Sequence, residues 1–95
     1  MKDCYEAFPS GEHPVMLRVE VEVLWAFPFI HLLHVDHAGD HLTVTFTTHD
    51  VKLRGKSLAI LFQEIARQRI AALRVGESSD GVVIEAIEVK EGGEP

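Results

Sequence analysis

Residues 31–46, HLLHVDHAGDHLTVTF, read as a β-hairpin whose register can be taken from the letters. Gly39-Asp40 is a two-residue turn in which glycine supplies the positive φ that a type II′ turn needs first. Pairing Ala38 with His41 sets His37 opposite Leu42, Val35 opposite Val44 and Leu33 opposite Phe46. The other face pairs Asp36 with Thr43 and His34 with Thr45. Apolar meets apolar and polar meets polar, and a slip of one residue would mix the two faces.

This register also sorts the histidines. His31 and His37 fall on the apolar face, roughly 20 Å apart by the strand rise, too far to serve one mononuclear site. His34 and Asp36 share the polar face, with His41 diagonally across from Asp36. Two imidazoles and a carboxylate suit zinc or non-haem iron, so His34, Asp36 and His41 are candidate metal ligands. The same threonine-rich face also fits an ordinary solvated sheet surface, and no HExxH spacing accompanies it. The plainer reading is preferred, and no cofactor is implied.

Upstream, strict alternation begins at Met16. Leu17, Val19, Val21, Val23 and Trp25 share one parity while Arg18, Glu20 and Glu22 take the other, the signature of a half-buried strand. Pro28 cannot donate to a ladder and predicts a bend, bulge or edge position. The surrounding LWAFPFIHLL is apolar on both parities, so it needs cover on both faces. With one helix expected in the chain, part of that cover is assigned to a second subunit. Residues 1–14 hold two prolines and a Ser-Gly pair without periodicity and read as a loose arm; residues 91–95 read as a disordered tail. A single domain is expected over 15–90.

Downstream, the parity changes near residues 48–50, which implies a kink or bulge before Val51 and Leu53. Gly55 punctuates, and Ser57 is an N-cap candidate for a helix over 58–73 with an apolar stripe of Leu58, Leu61, Phe62, Ile65, Ala66, Ala72 and Leu73. A last strand is expected over 82–89. Arg69 falls within the helical stripe, where a guanidinium must be paired or must snorkel. It is a candidate anchor for a carboxylate or phosphate; an ion pair, with Asp50 as one partner within reach, is the preferred alternative. Gly55-Lys56-Ser57 invites a phosphate-loop reading, but the required earlier glycine is replaced by Asp50. What remains is a generic anion site at the helix start, assisted by Lys56. Cys4, Ser10 and Ser57 offer no nucleophile with a positioned base, so no enzymatic constellation stands out.

Size and charge narrow the classes. Ninety-five residues with 46% hydrophobic content make one small domain, for which self-association is a reasonable expectation. A net charge of −6 argues against a nucleic-acid surface and against docking on an anionic membrane. No apolar run approaches the roughly 18 residues of a membrane span, the N-terminus lacks a signal-like apolar core, and the single cysteine allows no internal disulfide. The expectation is a cytoplasmic α+β homodimer acting through protein contacts. Its curved antiparallel sheet, of about four to five strands, could close into a partial barrel, with one helix on one face in the order strands, helix, strand.

Overall fold

The computed structural model describes residues 3–9 and 11–91. Nine strands and one α-helix follow in the order β1 (Tyr5–Ala7), β2 (Met16–Glu20), β3 (Leu24–Pro28), β4 (Leu32–Ala38), β5 (His41–Phe46), β6 (His49–Lys56), α1 (Leu58–Ala66), β7 (Ile70–Arg74), β8 (Gly76–Glu77) and β9 (Val83–Glu91). The class is α+β, but the expected single curved sheet or partial barrel is two open sheets. One has the order β1-β7-β2-β3 and the other β4-β5-β6-β9-β8. All pairings are antiparallel except β2 with β7.

The hairpin of residues 32–46 has the register its sequence dictates from Ala38↔His41 back to His34↔Thr45. Gly39 takes φ 62° while Asp40 keeps a negative φ, as a type II′ turn requires. Beyond His34 the ladder shifts: Leu32, not Leu33, opposes Phe46. Leu33 is the extra residue of a bulge and points to solvent.

Three expectations are corrected. The alternation from Met16 is not one strand but a hairpin: Val21–Val23 form a turn, and β3 folds back so that Val19 faces Trp25 and Leu17 faces Phe27. The change of parity near residue 48 is also a hairpin, turning at Thr47-Thr48 between β5 and β6, with Thr45 opposite Asp50. The helix stops at Ala66 rather than Leu73. Its end is a Schellman motif in which the Gln68 N–H donates to the Ile65 carbonyl (2.8 Å) and the Arg69 N–H to that of Glu64 (3.0 Å). Gln68 fills the left-handed position at φ 57°, normally a glycine site. The remaining apolar residues, Ile70–Leu73, form the strand between β1 and β2.

The N-terminal segment read as a loose arm carries β1, and Cys4 is buried. Its N–H donates to Ser78 Oγ (3.0 Å), and its thiol lies 3.1 Å from the same oxygen. Ser10 and residues 92–95 lie outside the described residues, so the tail expectation stands apart from the structure except at Glu91, which ends β9. Ser57 occupies the N-cap position in the left-handed region, φ 56°, with no side-chain cap hydrogen bond.

One core joins both sheets and the helix. Leu17, Val19, Phe27 and Leu73 come from the first sheet, Leu42, Val44, Phe46, Val51 and Leu53 from the second, and Leu58, Leu61 and Ile65 from α1. Spacings of three and four residues put those helical side chains on one stripe, with Phe62 half-buried beside them. Aromatic rings bridge the sheets: Phe27 stacks on Phe46 at 4.8 Å, and Trp25 lies 5.0 Å from His49. At Gly55 β9 passes so near that a Cβ would meet the Val83 carbonyl oxygen at 1.8 Å.

Candidate functional site

The polar face of the β4–β5 hairpin does not gather its three candidate ligands. His34 Nε2 sits 3.1 Å from Asp36 Oδ2, but His41 turns to Asp40, with 3.3 Å between Nε2 and Oδ1. All four side chains are exposed, and among the described residues no three His, Cys, Asp or Glu side chains form a group able to hold a metal. His37 lies on the apolar face as its parity demands, its ring 6.1 Å from that of Phe62.

Arg69 is not on the helix but in the short link to β7. Its Nη1 lies 3.0 Å from Glu64 Oε1, and Nη2 donates to the Phe8 carbonyl at 2.9 Å. The Phe8 N–H donates in turn to the Arg69 carbonyl at 2.8 Å. The partner is therefore Glu64, not Asp50, and Arg69 ties the N-terminal segment to the end of α1. Lys56 is exposed at the end of β6, opposite Val83 and away from Arg69's partners.

Among the described residues the most heavily bonded cation is Arg74. It is the last residue of β7, and its side chain is only 12% exposed. Nε donates to Glu20 Oε1 at 3.0 Å, Nη1 to the Asp3 carbonyl at 2.5 Å, and Nη2 to Glu6. These bonds, Glu20's first, hold the guanidinium firmly charged. A cleft of about 680 Å³ opens beside it, lined by Val21, Val23, Trp25, Val75, Ile87 and Val89 together with Glu20 and Glu22. Because Arg74 is already bound from three elements of the chain, the cleft's one cation is committed to holding the fold. No spacing or motif in the sequence marks this hub.

The feature that stands apart is an apolar surface around β3. Val15, Met16, Val23, Leu24, Ile30 and Leu33 are six of the eight large apolar side chains exposed among the described residues, and all fall within 15–33. Ile30 reaches 88% exposure and Leu24 67%. β3 is an edge strand of its sheet. The Phe29 N–H donates to the Val15 carbonyl (3.0 Å) just past the Met16–Pro28 pair, which makes that pair and its alternates, Arg18–Ala26 and Glu20–Leu24, the non-hydrogen-bonded ones. The backbone N–H and C=O of Leu24 and Ala26 consequently point outward to the open edge. Pro28 shares their parity, so its missing N–H falls on that side and interrupts no bond to β2.

Comparison with known proteins finds no matching family model, no matching curated protein and no matching solved structure. Among the described residues, no helix is long and apolar enough to cross a membrane.

Proposed function

We propose that this protein is a small homodimeric module that acts through protein contacts. The observation that carries the reading is the concentration of exposed apolar side chains in residues 15–33, on β3 and the segments that flank it. A concentration of exposed apolar side chains of this kind, on a chain this short, is the property of an interaction face. We place the protein in the reducing cytoplasm, a reading that rests on its single cysteine being a buried thiol.

Light scattering at tens of micromolar is expected to give twice the 10.6 kDa chain mass. A monomeric mass there would overturn the proposal. The ligand-binding alternative, through Arg69 and Lys56 or through His34, Asp36 and His41, draws no support from the geometry. Its test is a thermal-shift screen against divalent metals and small anions, in which a flat response is expected and stabilisation by several degrees would reverse the choice.

A further inference from the structure

We infer that the second copy docks edge to edge along β3, pairing antiparallel about Ala26 so that the four-stranded sheets of two chains become one of eight strands. This rests on the homodimer reading and specifies its partner surface. Among the described residues the sheets present edges at β1, β3, β4 and β8 and along β9 beyond Ile84, and all but β3 are guarded, β9 by Glu85, Glu88, Lys90 and Glu91. β1 is three residues long and β8 two, while β4 carries a bulge and the exposed polar pair His34–Asp36. β3, Leu-Trp-Ala-Phe-Pro, has no charged side chain at all, and uncharged open edges are the ones that accept another strand.

The strand is also complementary to itself. Pairing Ala26 with Ala26 of the second copy sets Trp25 opposite Phe27 on the core side and Leu24 opposite Pro28 on the outer side. Every contact is apolar on apolar. The outward-pointing groups match as well: each Ala26 N–H meets the other Ala26 carbonyl, and each Leu24 N–H meets a Pro28 carbonyl. The proline thus supplies an acceptor where it cannot supply a donor. The nearest like charges are the two Arg18 side chains, each one strand further out opposite its own Ala26. Three strand spacings, roughly 14 Å, separate them, beyond the ~8 Å screening length at physiological salt. Each Arg18 also has Glu6 at 3.3 Å. A twofold axis through such a pair makes the interface closed, which explains how an unguarded edge can stop at two copies.

The test uses the full chain. Ala26 is exposed, so Ala26→Glu and Ala26→Lys leave the monomer fold intact while placing like charges against each other at the axis. Each variant alone is expected to dimerise at least tenfold more weakly, and an equimolar mixture of the two is expected to recover a dimer. Amide exchange on the unmodified protein provides a second reading: the Leu24 and Ala26 amides slow with rising concentration, while those of Trp25 and Phe27, already bonded to β2, do not change. A dimer that persists in Ala26→Glu, or whose Leu24 and Ala26 amides ignore concentration, would overturn the β3 pairing and leave the homodimer standing. A chain that is monomeric from the start would overturn both.

Discussion

At Gly55 an added methyl group would lie 1.8 Å from the Val83 carbonyl oxygen, a backbone atom with no freedom to swing aside. Gly55→Ala is therefore expected to cost about 2–4 kcal/mol, as a lowered midpoint in urea unfolding. Arg74 shows the opposite dependence, on a side chain rather than its absence. Arg74→Met removes its bonds to Glu20 and Glu6, which keep Arg18 beside them, and frees the Asp3 carbonyl, an expected loss of about 2 kcal/mol by the same measurement. Cys4 supplies a pH signature. Burial pushes its thiol above the ordinary 9.0, outweighing the bond from Ser78. The folded chain then keeps a proton that the unfolded chain releases, so this contribution is full below about pH 9 and fades as pH rises further. Tyr5, raised by burial and by its bond to the Asp80 carboxylate, acts with the same sign from about pH 10 upward. Melting temperatures are expected to fall as pH rises above about 9, less steeply in Cys4→Ala; an equal slope would assign the whole effect to other groups.

Elements were legible where turn chemistry and side-chain alternation agreed. Gly39 announced its turn, and the polar and apolar faces of β4 and β5 then fixed all but the last pair of their ladder. Leu33 was misplaced because a bulge leaves no mark on an apolar run. The turns at 21–23 and 47–48 went unread because neither holds Gly, Pro, Asn or Asp, and Val21 and Val23 even sustain the alternation. β7 was hidden for a different reason. Ala72 and Leu73 continue the spacing of α1, and what ends the helix is a glutamine in a conformation glycine normally supplies. The same helix end hides the ion pairs: Arg69 continues the apparent helical stripe yet follows the helix, and Arg74 meets Glu20 only once β7 lies beside β2. The helix end makes a prediction of its own. Gln68→Gly relieves the left-handed strain at modest cost in unfolded-chain entropy, so it is expected to raise stability by about 0.5–1 kcal/mol. A lower melting temperature would show that the Gln68 side chain contributes more than its backbone costs.

At the scale of the molecule, charge and topology set the behaviour in solution. Protonating six histidines would carry the formal charge from −6 to zero, so solubility is expected to pass through a minimum a little above pH 5, near the isoelectric point of about 5.4. Equal solubility from about pH 4.5 to about pH 8 would contradict this. Topology bears on how the chain is made. β7, which lies between β1 and β2, follows them in sequence by more than half the chain. While a ribosome is still extending the chain through α1, β1 has no neighbour and β2 pairs only with β3. The β4–β5–β6 meander is by then complete in sequence. Until β7 is made, the uncharged β3 edge therefore belongs to a sheet that lacks its central strand.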